Sequence, residues 1–141
     1  MKNAKWMLAV SLIVLSSMAV AQSMGKSGVK AQVPFDFTVG NKTIPAGECV
    51  VQPSSQDGSV LMIRNAEAKT SLLIMSAPTE AKRSSADTVL VFERYGDRYF
   101  LSAIRVQGSD RTYRLPTSKE EAELRAQNVP ATEQTLLASL K

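Results

Sequence analysis

The chain of 141 residues contains no histidine and a single cysteine, Cys49. Without histidine, Ser-His-Asp catalysis, Cys-His catalysis and most zinc sites are excluded, because imidazole is their usual base or ligand. One cysteine also excludes an internal disulfide, so the fold must be stabilised by its core. We expect Cys49 to be a buried small hydrophobe rather than a nucleophile, and we predict no metal and no cofactor.

Runs of like charge are also missing. The 17 basic and 13 acidic residues give a net charge of +4, and the two signs are interspersed along the chain. Nucleic acids and anionic membranes are recognised by clustered lysine and arginine. We therefore expect no nucleic-acid partner, and the charge balance indicates ordinary solubility.

Residues 1–21 have the layout of a secretory signal peptide, with Lys2 and Lys5 before an apolar run that ends at Leu15. Ala19 and Ala21 then form a small-x-small cleavage site, and we predict cleavage after Ala21. The alternative, a membrane-anchoring helix, would need about 20 apolar residues, which is longer than this run. Export to the periplasm or the exterior would leave a mature chain of 120 of the 141 residues, and we predict that it contains no transmembrane segment.

Two alternating runs of apolar and polar residues meet at Gly96 and Asp97, and they predict a β-hairpin from Val89 to Val106. A type II′ turn with Gly96 at the positive-φ position would place Tyr95 opposite Arg98. Counting outward, Phe92 then lies opposite Leu101, Val91 opposite Ser102, Leu90 opposite Ala103 and Val89 opposite Ile104. We expect one face of this hairpin to join the core and the other to be half covered by another element.

After a short flexible arm at residues 22–28, residues 29–116 are rich in short strand patterns separated by turn residues. The predicted strands besides the hairpin are 29–38, 48–52, 60–65, 72–75 and 112–115. Pro34 indicates that the first strand is at an edge or broken by a bulge. The strand 72–75 is so apolar that we expect burial on both faces. About seven strands predict a mainly β fold, a single small antiparallel sandwich or a partly open barrel.

Residues 117–141 are predicted to form a short C-terminal helical segment. Ser118 with Glu121 fits a capping box, so a solvated helix begins there and is interrupted at Asn128 and Pro130. A second helix is predicted from Thr132 to Leu140, with Leu136, Leu137 and Leu140 on one apolar stripe. This stripe would dock either on the chain's own sheet or on a partner, and we favour a partner or a frayed end.

Candidate site residues cluster at the hairpin tip, where guanidinium groups and aromatic rings could bind a carboxylate or a sugar. They are Arg94, Tyr95, Arg98 and Tyr99. The structural alternative, which we favour, is that they build the turn, with Arg94 over the ring of Tyr99. Asp36 and Glu93 are the carboxylates that a hydrolase would need, but we expect each to be solvated or paired, Glu93 with Arg98.

The segment VPFDFTVGNKTIPAGE begins at Val33, and VFERYGDRYFLS begins at Val91. These two motifs resemble a family of small exported acidobacterial proteins to which no activity is assigned. Cys49 stands where the family pattern usually has tyrosine, and the late motif around Tyr113 is only approximate. The likeness covers about residues 29–126 and implies an exported β domain without implying an activity.

These observations favour an exported, non-enzymatic structural or interaction module whose partner is a protein or another envelope component. The alternative is a small-ligand-binding β-barrel, and a carboxylate-based hydrolase is a more distant one. The candidate partner surface comprises Arg94, Tyr95, Arg98, Tyr99, Leu136, Leu137 and Leu140.

Overall fold

The structure is a computed structural model that describes residues 28–80 and 83–140. The predicted signal peptide and all of the arm except Gly28 lie outside the described residues. Within those two ranges, no helix is long and apolar enough to cross a membrane.

The described chain is built mainly of antiparallel strands with one short helix. In chain order the elements are β1 Val29–Val33, β2 Phe37–Val39, β3 Lys42–Ile44, β4 Gly47–Pro53, β5 Val60–Asn65, β6 Thr70–Met75, β7 Ala77–Glu80, β8 Val89–Tyr95, β9 Arg98–Arg105, β10 Arg111–Arg114, α1 Lys119–Ala126, β11 Thr132–Leu137 and β12 Ser139–Leu140. They form a five-stranded sheet in the order β12-β1-β4-β5-β6 and a seven-stranded sheet in the order β11-β8-β9-β10-β7, with β2 beside β9 and β3 beside β2. The predicted mainly β, sandwich-like class is confirmed.

The chain passes between the two sheets where a strand pattern is interrupted. The predicted strand 29–38 is two strands, because Pro34 to Asp36 leave extended pairing and carry the chain from β1 in one sheet to β2 in the other. A proline has no N–H for a ladder, which explains why the break falls there. Ser76 separates β6 from β7 in the same way, so consecutive strands again belong to different sheets.

The side chains between the sheets form a packed apolar core. Phe92 lies at its centre, fully buried, and makes edge-to-face contacts with Phe35 at 5.1 Å and Phe37 at 5.3 Å between ring centroids. Edge-to-face geometry is the arrangement that aromatic quadrupoles favour, so these rings are specifically packed. Cys49 is 2% exposed, which confirms its predicted burial.

The β8–β9 hairpin has the predicted turn and, near the turn, the predicted register. Gly96 has φ +66°, and the non-glycine residues with positive φ in the described ranges are Lys69 and Asn128, so Asp97 is not among them, as a type II′ turn requires. Tyr95 pairs with Arg98 and Phe92 with Leu101.

Beyond Phe92 the predicted hairpin register is wrong. A β-bulge between Val91 and Phe92 shifts the ladder, so Val91 faces Ala103, Leu90 faces Ile104 and Val89 faces Arg105. A bulge places one unpaired residue in one strand, and here that residue is Ser102 of β9. Leu90 and Val91 are both buried, so both faces of β8 are covered at this point.

The first of the two predicted helices is confirmed as α1. Ser118 is its N-cap, and its side-chain oxygen accepts a hydrogen bond from the backbone N–H of Glu121 at 3.1 Å. Glu121 is 3% exposed, because it points towards β8 instead of solvent. The helix therefore covers the second face of the hairpin near its turn, as that half-apolar face requires.

The second predicted helix is wrong, because residues 132–140 form β11 and β12. β11 pairs with β8 along its whole length, from Thr132 opposite Arg94 to Leu137 opposite Val89, and β12 pairs with β1. A helix this short has little stability alone, whereas the open edge of β8 offers a ladder of hydrogen bonds. Leu136 and Leu137 consequently project to opposite faces of β11. Leu136 is half-buried against the core, Leu137 is 73% exposed, and the backbone of Leu140 lies opposite Val29.

Candidate functional site

The hairpin tip brings the four predicted polar and aromatic residues together, but each contacts another part of the same chain. The ring of Tyr99 stacks on Phe35 with centroids 3.6 Å apart and planes 12° from parallel. The guanidinium carbon of Arg94 lies over the Tyr99 ring at 5.6 Å, and Arg94 Nε donates to the Gly96 carbonyl at 2.6 Å. This is the structural arrangement predicted for Arg94 and Tyr99, and it fixes the turn.

Tyr95 and Arg98 lie on the other face of the hairpin and bind α1. The Tyr95 hydroxyl donates to Glu121 Oε2 at 2.8 Å and accepts from Arg125 Nε at 2.8 Å, while Arg125 Nη2 is 2.9 Å from the same carboxylate oxygen. Burial raises the pKa of the Tyr95 hydroxyl above its ordinary value. The three side chains form a closed network, called here the helix clasp, that joins α1 to the sheet.

Arg98 also belongs to this helix attachment, and its predicted pairing with Glu93 is wrong. It forms an ion pair with Glu120 of α1, and its guanidinium carbon lies 5.7 Å from the centroid of the Phe100 ring. The four hairpin-tip residues therefore position a helix and a turn within the described structure.

The two predicted carboxylates occupy different environments. Asp36 lies in the link between β1 and β2, outside a strand, and accepts a hydrogen bond from the Ala46 N–H at 2.8 Å. Glu93 lies opposite Glu133 of β11, and burial, together with the neighbouring charges of Glu133 and Glu121, raises its pKa. A cross-strand pair of like charges is destabilising, so the pairing of Glu93 with Glu133 lowers the stability of the fold.

Cys49 is not a reactive thiol in this fold. Burial raises its pKa to about 12, and the thiolate is the nucleophilic form of cysteine. A thiol that stays protonated and is 2% exposed has neither the charge nor the access that nucleophilic attack requires.

Two surface clefts contain predicted site residues. One has a volume of about 490 Å³ and is lined by Lys30, Ala31, Gln32, Glu48, Leu137, Ala138 and Ser139. It lies beside β1, where the chain passes from β11 to β12. A second cleft of about 190 Å³ beside the hairpin tip is lined by Asp36, Phe37, Thr38, Thr43, Asp97, Arg98 and Tyr99.

The outer face of the five-stranded sheet carries exposed apolar side chains on β6. Leu73 is 61% exposed and Met75 is 66% exposed, so the prediction that this strand is buried on both faces is wrong. Met62 lies opposite Leu73 on β5, and Val60 lies opposite Met75. Together these four residues form a continuous apolar strip, called here the β6 patch.

β6 is also the edge of its sheet, since among the described elements only β5 pairs with it. The Val60 carbonyl accepts from Ser54 N at 2.7 Å, on the β4 side, so Met75 opposite it directs its own N–H and C=O away from β5. Ser76 N donates to the Ser59 carbonyl at 2.7 Å, which confirms this alternation one residue later. The backbone groups of Ser71, Leu73 and Met75 therefore point to the open edge.

Two cations flank the N-terminal end of this edge. Lys42 Nζ donates to the outward Ser71 carbonyl at 2.9 Å. Arg64 lies opposite Ser71 on β5, and its buried Nε has no hydrogen-bond partner among the described residues. The ion pairs in the described ranges involve Arg98 and Arg125, so the positive charge of Arg64 is not paired there.

Sequence reasoning missed this surface because an apolar run without charges is typical of a strand covered on both sides. The segment Thr70–Met75 has no charged residue and no proline, which are residues that usually protect an exposed edge. Its edge position is fixed by pairing partners far away in the chain. A signal was present in Ser76, which interrupts the apolar pattern where the chain moves to the other sheet.

No protein-family model matches this chain, and neither a curated protein nor a solved structure matches it significantly. The likeness to small exported acidobacterial proteins thus stays a resemblance carried by the two motifs.

Proposed function

We propose that the protein is an exported, non-enzymatic interaction module of the periplasm or cell exterior, and that the β6 edge is its binding surface. The observation that carries the proposal is the coincidence of exposed Leu73 and Met75 with outward backbone donors and acceptors on one strand. Exposed, flat, apolar edges promote pairing with another chain, and proteins usually protect them. Lys42 caps the edge at the Ser71 carbonyl, and the open groups at Leu73 and Met75 are consistent with a strand-accepting site.

The placement of the reactive side chains supports a binding role over catalysis. Tyr95, Glu121 and Arg125 satisfy one another in the helix clasp, and the Cys49 thiol is buried. Glu93 faces another carboxylate across the sheet. None of these groups is aimed into a cleft with a base and an electrophile-binding group, which is what acid-base or nucleophilic catalysis needs.

Export is tested by the N-terminus of the protein recovered from its host. We expect intact mass and N-terminal sequencing to give Gln22 as the first residue, because Ala19 and Ala21 form the cleavage signal. Retention of Met1 in all of the recovered protein would contradict export.

The binding surface is tested by site-specific photo-crosslinking in the host. A photoreactive amino acid at Leu73 or Met75 should give a discrete adduct with another envelope component. The same group at Glu123, an exposed position on α1, should give none. Equal crosslinking at the β6 and α1 positions, or none at β6, would contradict the assignment of this edge as the binding surface.

A further inference from the structure

The pattern of outward backbone groups defines how a strand would add to β6. Three alternate residues, Ser71, Leu73 and Met75, present N–H and C=O groups to the open side. All the pairings in this sheet are antiparallel, so an added antiparallel strand continues the same geometry. An extended segment of five residues would pair with residues 71–75 and bond to the outward groups of Leu73 and Met75 and to the Ser71 N–H, while Lys42 Nζ holds the Ser71 carbonyl.

The outer face of β6 determines which side chains such a segment needs. Residues opposite one another in an antiparallel pair project to the same face, so those opposite Met75 and Leu73 would lie beside the β6 patch. Apolar side chains there would remove the exposed parts of Leu73 and Met75 from water. The first and third residues of the segment are therefore apolar.

The inner side of the edge is crowded by the β2–β3 turn. A Cβ added at Gly40 would lie 3.1 Å from Ile74 Cδ1, so the Gly40 backbone is already close to this strand. The second and fourth residues of the segment, opposite Ile74 and Leu72, face this side. They are expected to be small or polar.

Charge specifies the fifth residue. In an antiparallel segment it lies opposite Ser71, whose partner on β5 is Arg64, and near Lys42, whose Nζ reaches the Ser71 carbonyl. A carboxylate at this position would neutralise a guanidinium that has no anionic partner in the described structure. An acidic side chain or a free C-terminal carboxylate supplies it.

A second copy of the chain fits this edge less well. Two-fold antiparallel pairing centred on Leu73 would place Ser71 opposite Met75 of the other copy. The segment Thr70–Met75 has no carboxylate to offer, so Arg64 and Lys42 would stay unneutralised on both copies. Self-association is therefore an outcome that the experiment must distinguish.

We infer that the β6 edge binds an extended antiparallel segment of another protein with the sequence apolar, small, apolar, small, acidic. This inference rests on the proposed function and names the chemistry of its partner. Affinity comes from the main-chain ladder and the β6 patch, and specificity comes from Arg64 and Lys42.

The experiment measures fluorescence anisotropy of labelled peptides titrated with the purified protein. One ten-residue peptide carries valine, threonine, valine, threonine and glutamate at its centre, and its matched control has lysine in place of glutamate. We expect the glutamate peptide to bind about fivefold more tightly or better, with the difference shrinking at high salt. Arg64→Glu should reverse the order of the two peptides.

The backbone contribution is tested by Leu73→Pro against Leu73→Val. Both shorten the side chain, but only proline removes the outward N–H, which β5 does not use. We expect Leu73→Pro to weaken glutamate-peptide binding about tenfold relative to Leu73→Val, with thermal unfolding confirming that both variants fold. If Leu73→Pro does not fold, the reversed peptide preference of Arg64→Glu still tests the inference.

The outcomes separate this inference from the proposed function. Equal binding of the glutamate and lysine peptides by the parent would overturn the acidic specificity while leaving the edge as a binding surface. A parent protein that binds neither peptide but forms a dimer lost in Leu73→Pro would overturn it in favour of self-pairing. Binding of neither peptide by a monomeric protein would overturn it as well, and the crosslinking result would then decide the proposed function separately.

Discussion

The hairpin tip and the β6 edge differ in how their chemical groups are used. The tip contains arginine and tyrosine side chains of the kind that recognise ligands, yet Arg94 and Tyr99 fix the turn and Tyr95 and Arg98 hold α1. The β6 edge contains plain aliphatic residues, yet Leu73 and Met75 are exposed beside outward backbone groups. The difference indicates that the groups left unpaired within the fold, whatever their residue type, are the ones available to a partner.

The comparison predicts that tip and clasp residues contribute to stability and that the outer residues of β6 do not. Five sets of substitutions test it.

Glu121→Ala should lower the free energy of unfolding by about 2 to 4 kcal/mol. It removes the acceptor shared by the Tyr95 hydroxyl and Arg125, and it leaves the buried hydroxyl without that partner. Urea unfolding of Glu121→Ala and of Glu123→Ala, an exposed position on the same helix, measures the effect. Equal losses in the two variants would mean that the clasp does not hold the helix.

Cys49→Ser should lower the free energy of unfolding by about 1 to 3 kcal/mol, because it places a hydroxyl in the apolar interior beneath the edge-bearing sheet. Cys49→Val should be nearly neutral. A thiol reagent at mildly alkaline pH should label the parent in denaturant and leave the folded protein unlabelled, since burial raises the thiol pKa to about 12. Rapid labelling of the folded protein would contradict the burial.

Gly96→Val should also cost about 1 to 3 kcal/mol. The φ of Gly96 is +66°, and a Cβ there would meet nothing within 4 Å, so the whole loss is backbone strain. Asp97→Asn is the control and should cost little. If the valine variant unfolds at the same urea concentration as the parent, the turn is not type II′.

Glu133→Gln should stabilise the protein by about 0.2 to 1 kcal/mol at neutral pH, because it removes a like charge opposite Glu93. Folding raises the pKa of Glu93, so its ionised form is disfavoured in the folded state. The repulsion is present above that pKa and is lost as the pH falls through it and Glu93 becomes neutral. Thermal unfolding at several pH values should show the gain disappearing in acid, and a gain that persists there would point to another cause.

Leu73→Ser should change the free energy of unfolding by no more than about 0.5 kcal/mol, because the side chain is 61% exposed. Ile74→Ser, one residue further along β6, should cost about 2 to 5 kcal/mol, because that side chain is 8% exposed and packs in the core. Chemical unfolding of the pair measures the contrast. A large loss at Leu73 would show that the outer face is needed for folding, and would weaken its assignment as a binding surface.

Several elements followed from local patterns alone. The glycine at position 96 predicted the turn, because glycine adopts a positive φ at no steric cost, and the alternation of apolar residues around it predicted the first pairs of the hairpin. Ser118 and Glu121 predicted the start of α1 for an equally local reason, a hydrogen bond between a side chain and a backbone group three residues away. The burial of Cys49 followed from its apolar neighbours.

The tertiary structure decided the pairings between distant segments. Residues 132–137 form a strand because the edge of β8 is available to them, and residues 70–75 form an exposed edge because the chain after Ser76 joins the opposite sheet. Local periodicity records how many faces of a segment are apolar, but it does not record which segment covers each face. The apolar composition of the candidate binding surface could therefore be predicted from the sequence. Its exposure could not, since exposure depends on contacts between residues that are remote in sequence.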